Sequence, residues 1–469
     1  MDAGAAQTRR VECGAPTGTF YSLAGPLPAD NGAVMKCERA DPAYGGSLWA
    51  GYLAYRVQYK SSQVLHDSDG GTRTVDVPAS GEVFVPVDGG GPYVLAETHG
   101  TSGIISDPSC APTGIRWVDT PAMPAMAAAA PTGAVVVAPD YFGMGTDDGE
   151  RTPDHSDRFP DPLDGVEDTP LARVSHPYFS LESEGRATVD LVRAARFVPG
   201  ANTGAAPAWL VYGVSQGGHA ALGTGEVVRR GYGSEMKLVG IVAAEPGSEL
   251  DYGVPYPDGG APDEPPDADI EPDLALYLYE EVFAGLSLEN PFQCQDLYTE
   301  YALGAFSHTA GSACQGDTGW VAIDNAYLQG GHPWYQGAIS PSEYDLARAA
   351  LTTNSPGHAR SPDGVPALVI QVAGDPVVRK ERTDILVSRE RATNPGEDWT
   401  YCLWQGTNLT EPDGGPTPYT ARSQNHDGLG FAFGKYGVEA PVCVGADGVT
   451  TTESPDYVRT WTGRAFAKP

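Results

Sequence analysis

A chain of 469 residues with 41% apolar side chains can bury a sizeable core, so general disorder is excluded. Its 29 Lys and Arg stand against 61 Asp and Glu, a formal net charge of −32, which argues against nucleic acid and anionic membrane surfaces as partners. No apolar run approaches the ~18 residues a membrane span needs, since the small-residue run Ala122–Ala130 is short and broken by Pro124.

In chain order, residues 12–48 read as a Gly/Pro-rich wrapping segment. Leu48–Tyr59, Thr72–Val77 and Glu82–Val87 read as strands, with turn clusters at Asp67–Gly71 and Ala79-Ser80-Gly81 suggesting antiparallel hairpins. From Pro92 the pattern changes. Pro92–Glu97 and Gly133–Ala138 are short apolar runs, as expected of strands buried on both faces of a parallel sheet. Leu181–Val198 has helical periodicity; Ala208–Gly213 (strand), Gln216–Arg230 (helix) and Lys237–Ala244 (strand) follow. This alternation predicts a parallel α/β sheet. It stops after Ala244: Pro257–Pro272 is acidic and Pro-rich, and Leu274–Leu286 is an apolar helix. It resumes with strand Ala367–Val372, helix Arg379–Arg391, strand Trp399–Trp404 and helix Pro455–Ala467. The expected organisation is a wrapping segment (1–48), a first core part (49–248), an insertion folded over the sheet's C-terminal edge (249–345) and a second core part (346–469).

Gly213-Val214-Ser215-Gln216-Gly217 is a G-x-S-x-G pentapeptide. With 59 glycines in the chain, chance alone yields about 0.4 such matches, so its context carries the weight. A strand ends at its first glycine and a helix begins just past the serine. That is the strand–turn–helix in which a nucleophilic serine is strained and exposed above an α/β-hydrolase sheet. Its partners come in the order Ser, acid, His. Asp375 follows the strand Ala367–Val372, at the rim where sites assemble; Asp384 and Asp398 are weaker substitutes. His426 is the single histidine beyond Asp375. Ser215 is therefore expected as nucleophile, His426 as base and Asp375 as the acid orienting the imidazole. Glu97–Gly103 follows an apolar strand, and in this architecture Thr101 and Gln216 would supply the oxyanion-hole N–H groups, with the Thr101 hydroxyl as a third donor.

Seven cysteines without a CxxC pair, few lysines and scattered spacing suggest disulfides and a secreted protein. The acids between Asp147 and Asp164 crowd one loop without EF-hand spacing; structural calcium is the one metal considered, and no cofactor is expected.

His99-Gly100-Thr101-Ser102-Gly103, Cys110-Ala111-Pro112-Thr113, Val137–Tyr141 with Gly143 and Gly145, His176-Pro177-Tyr178, Val192–Arg196, Gly213–Ala220 and Gly374-Asp375 together resemble the secretory lipase family of α/β-hydrolases, the Candida lipase A-like group and its bacterial relatives. The resemblance spans most of residues 92–430. It implies carboxylic-ester hydrolysis, often on acylglycerols, beneath a helical lid inserted before the strand that carries the acid. It also implies disulfides Cys110–Cys294 and Cys402–Cys443, leaving Cys13–Cys37 as a third. An acyl chain would meet Tyr141 and the lid residues Leu276, Tyr277, Phe283 and Leu286, unless that lid face packs as core. The expected function is a monomeric lipase or carboxylesterase on a small-molecule or lipid ester, without nucleic-acid or integral membrane contact. A peptidase or amidase on the same triad, a polyester-hydrolysing esterase and a non-catalytic binding module are the alternatives.

Overall fold

A computed structural model of the protein describes residues 10–23, 25–40, 51–108, 110–111, 113, 122–146, 174–250, 282–292, 294–299, 339–358, 362–373, 375, 377–404, 440–454 and 457–468. The described strands are β1 Val34–Arg39, β2 Tyr52–His66, β3 Thr72–Pro86, β4 Tyr93–Thr98, β5 Val135–Phe142, β6 Ala208–Val214, β7 Lys237–Ala244, β8 Ala367–Val372, β9 Trp399–Trp404, β10 Val442–Val444 and β11 Thr450–Thr452. They form one 11-stranded sheet in the order β1-β2-β3-β5-β4-β6-β7-β8-β9-β10-β11. The strands from β5 to β9 in that order are parallel. Antiparallel strands flank them, β1–β3 at one edge and β10–β11 at the other.

Period-two alternation sorts the central strands onto two cores. Val94, Val135, Trp209, Val211, Ile241 and Val369 face one, with α2 (Leu181–Ala195), α3 (Gln216–Arg229), α4 (Pro341–Asn354) and α5 (Lys380–Thr393). Leu95, Val136, Leu210, Tyr212, Val242 and Leu368 face the other, where α1 (Ala122–Ala129) and α6 (Tyr457–Ala467) bring Met126, Val458 and Trp461. Both faces of each strand are thus dry, which is why these strands read as unbroken apolar runs.

Three sequence expectations change. Thr72–Val77 and the expected strand from Glu82, which ends at Pro86, are parts of one continuous strand, and Ala79-Ser80-Gly81 is not a turn. Those small residues serve a close approach instead. The β3–β5 register shifts between Ser80 and Gly81, and a β-carbon at Gly81 would stand 2.7 Å from both Ala138 O and the Leu191 side chain. The Asp67–Gly71 turn does close the β2–β3 hairpin, with Asp67 N donating to Gly71 O at 2.9 Å. The wrapping segment contributes β1 to the sheet edge, and helix α4 runs across the expected boundary at 345/346. Among the described residues, no helix is long and apolar enough to cross a membrane.

Disulfides join Cys13 to Cys37 and Cys402 to Cys443. The bond Cys110–Cys294 implied by the resemblance is not made: Cys110 is disulfide-bonded, whereas Cys294 is a buried thiol.

Candidate active site

Strand order reverses between β5-β4 and β6, so the chain leaves the sheet in opposite directions at the C-terminal ends of β4 and β6. Such a switch point opens a crevice at the sheet's edge. Ser215 stands there, between β6 and α3, with φ 59° and ψ −120°. A non-glycine residue in that conformation is strained and persists only where its surroundings hold it. Ser215 N donates to Ala244 O of β7 at 2.9 Å, and Ser215 O accepts from His219 N at 3.1 Å and Gly247 N at 3.3 Å. The flanking glycines are steric necessities: a β-carbon at Gly213 or Gly217 would collide with Thr98. The serine hydroxyl makes no capping bond to α3, and the residue is partly accessible.

The turn after β4 meets this serine. A β-carbon at Gly100 would lie 3.5 Å from Val214 O and 3.9 Å from Ser215 Cβ. Thr101 follows, its hydroxyl 2.6 Å from the Tyr178 hydroxyl. Gln216 is the first residue of α3, where backbone N–H groups have no intrahelical acceptor and the helix dipole favours negative charge.

Gln216's side chain turns inward, wholly buried. Its Nε2 donates to His176 Nε2 and to Glu184 Oε1, each at 2.8 Å. The amide orientation is fixed, since flipping it would set its oxygen against the Glu184 carboxylate. His176 Nε2 therefore accepts, and its Nδ1–H donates to Phe142 O at 3.0 Å. Burial holds this imidazole neutral, its pKa lowered from 6.5 to about 3. Glu184 also accepts from Phe179 N at 3.1 Å and meets His219 Nδ1 at 2.8 Å. His219 Nε2 donates to Asn354 O, at 2.8 Å. In the sequence, His176, Tyr178 and His219 have no role beyond their place in the motifs that carry the resemblance, and Glu184 lies in an ordinary amphipathic helix.

Tyr141, expected at the acyl chain, is wholly buried and donates to His99 O at 3.1 Å. Its ring stacks on His176, 5.4 Å between centroids, and lies 4.2 Å from His99. It supports the turn after β4 from below. Burial lowers His99 from 6.5 to about 4, so it too is neutral there.

Asp375 stands just past β8, buried, with Oδ1 accepting from Val377 N at 2.8 Å and Val378 N at 3.1 Å. The weaker substitutes are engaged elsewhere. Asp384 on α5 pairs with Lys380 and accepts from Tyr401 at 2.9 Å; Asp398 pairs with Lys468 at 2.6 Å. His426, Leu276, Tyr277 and the acidic stretch Asp147–Asp164 lie outside the described residues, as do 251–281 and 300–338 of the expected insertion. Of the insertion's expected acyl contacts, Phe283 and Leu286 are fully buried, Phe283 against Phe292 and Tyr298. A β-carbon at Gly285 would collide with Tyr178, so residues 282–287, which are helical, sit tightly on it. Among the described residues no group of three or more His, Cys, Asp or Glu could hold a metal ion.

No protein-family model and no curated protein matches the chain. Solved structures do. A single-residue mutant of the rice cell wall degrading esterase LipA from Xanthomonas oryzae is 17% identical over 85% of this chain and 97% of that one, with a TM-score of 0.55. A ligand-bound form of that esterase gives 16% identity, the same coverage and a TM-score of 0.53. Candida antarctica lipase A in its closed state is 14% identical over 94% of each chain, with a TM-score of 0.54. The likeness lies in the path of the backbone. Together with the parallel centre, the switch point and the strained serine turn, it identifies the chain's architecture as the α/β-hydrolase fold.

Proposed function

We propose that this protein is a serine hydrolase that cleaves carboxylic esters through an acyl-enzyme on Ser215. The observation that carries the reading is Ser215 itself, held at positive φ between β6 and α3 beside Gly100. Strain of this kind costs on the order of 1–3 kcal/mol and clusters at functional sites. The lipase and esterase names of the similar structures favour esters over amides.

In the reaction, Ser215 Oγ bonds to the acyl carbon as His426 takes its proton. The carbonyl π electrons move onto oxygen, and the Thr101 and Gln216 backbone N–H groups stabilise that charge by roughly 3 kcal/mol each. The C–O bond to the alcohol breaks, and the imidazolium returns the proton to the leaving oxygen. Water then repeats the sequence and releases the acid. Asp375, its Oδ1 fixed by two backbone donors, holds the imidazole tautomer through its other oxygen. Residues 249–345 act as a lid over this edge of the sheet, and its seat on Tyr178 supports that reading. The disulfides Cys13–Cys37 and Cys402–Cys443 fit a secreted protein. The test is a burst of nitrophenol from an activated ester. Wild-type protein should release one equivalent per chain before steady turnover; equal turnover by Ser215→Ala would overturn the proposal.

A further inference from the structure

Both residues assigned to the oxyanion hole are held by one short segment of chain. Thr101 is bonded through its hydroxyl to Tyr178, and Gln216 through its amide to His176 and Glu184. Phe179, with φ 60°, reverses the chain between these anchors, and Ser180 then caps α2. Glu184 also grips His219, one turn further along α3, so two points on the first turns of that helix are tied to α2. The reach is made possible by bare backbone where the helices meet. A β-carbon at Gly185 would lie 2.9 Å from Gly223 O, and one at Gly223 would lie 2.6 Å from Leu181 O. Gln216 spends both amide hydrogens on this segment, and its bonds and that of His219 to Glu184 lie in a dry interior, where such bonds are stiff and costly to break, while the Thr101–Tyr178 bond is part-buried.

We infer that Tyr178 and Glu184 are positioning residues that set the two oxyanion-hole donors against Ser215, Tyr178 through Thr101 and Glu184 through Gln216 and His219. Neither touches the substrate. Each acts by fixing where a backbone N–H points, and such donors lose effect when displaced by a fraction of an ångström. The inference rests on the proposed function, so its test keeps the two apart.

Tyr178→Phe removes the bond to Thr101. Glu184→Leu removes those to Gln216 and His219. Glu184→Gln can keep them, its oxygen accepting from Gln216 and Phe179 and its amide donating to His219 Nδ1. The variants are compared on a short water-soluble nitrophenyl ester, with competent sites counted by a fluorophosphonate so that kcat is per active site. Expected is a fall in kcat of about tenfold for Tyr178→Phe and at least that for Glu184→Leu, with KM unchanged and Glu184→Gln within about threefold of wild type. A merely structural role would lower the count of sites and leave kcat per site intact. Wild-type kcat per site in Tyr178→Phe and Glu184→Leu, a change confined to KM, or a Glu184→Gln as slow as Glu184→Leu overturns the inference. Should Glu184→Leu fail to fold, Tyr178→Phe decides alone. If wild type shows no burst, or Ser215→Ala turns over equally, it is the hydrolase reading that fails.

Discussion

Thr98 Oγ1 lies 2.7 Å from Gly217 O and 2.9 Å from Tyr212 O, so strand β4 is bonded to both sides of the serine turn and its single hydroxyl proton is shared between them. No side chain fits between these backbones, because a β-carbon at Gly217 would collide with Thr98 O. Gly217→Ala should destabilise the protein by about 2–3 kcal/mol through overpacking, and lower esterase activity at least tenfold by displacing Ser215. Denaturant midpoints and ester turnover check both effects.

The strain at Ser215 has its own signature. A glycine adopts φ 59° without the β-carbon penalty, and an alanine does not. Both Ser215→Gly and Ser215→Ala should lack activity, but Ser215→Gly should be the more stable by about 1 kcal/mol in urea unfolding. Equal stability would mean that the turn is relaxed.

How much of this the sequence disclosed follows from where the information sits. Strands β7 and β8 are readable to the residue because burial on both faces demands apolar runs, and β9, half-buried, is readable from its aromatic residues. The short strands β10 and β11 are not, since Val442–Val444 is apolar for three residues only and Thr450–Thr452 is exposed. Gly81 reads as a turn in sequence, yet it answers to a neighbour, Leu191, that only folding brings near. For the candidate site, the positions of Ser215 and Asp375 are legible because each follows the end of an apolar strand. The tie of Glu184 to Gln216 is not, because it depends on how closely α2 and α3 cross.

The acid assignment separates cleanly by substitution. Asp375→Asn keeps an oxygen for Val377 N and Val378 N but presents an amide where the imidazole needs an acceptor. It should lower kcat by about 10⁴ with the fold intact. Asp384→Asn, on a residue tied to Lys380 and Tyr401, should leave kcat unchanged. Ester kinetics with circular dichroism on both variants decide.

Glu289 gives a pH dependence of known sign. Burial raises its carboxyl from 4.5 to about 7, against hydrogen bonds from Ser180, Ser183 and Gln63 that favour the anion. Between those values the folded protein holds a proton that the unfolded chain has released. This contribution to stability is therefore full below about pH 4.5 and lost as pH rises through 7, a total of about 3 kcal/mol. Glu289→Gln removes it. The stability difference, variant minus wild type, should grow by about 3 kcal/mol from pH 4 to pH 8 in chemical denaturation. The neutral His99 and His176 titrate alike in both proteins and cancel. A difference independent of pH would show an ordinary carboxylate.

The nucleophile can be seen directly. Wild-type protein is treated with a fluorophosphonate, its intact mass is measured, and the modified peptide is sequenced by mass spectrometry. The account predicts one adduct per chain, on Ser215, absent from Ser215→Ala. A folded protein that takes up no label, or carries it on another residue, would contradict it.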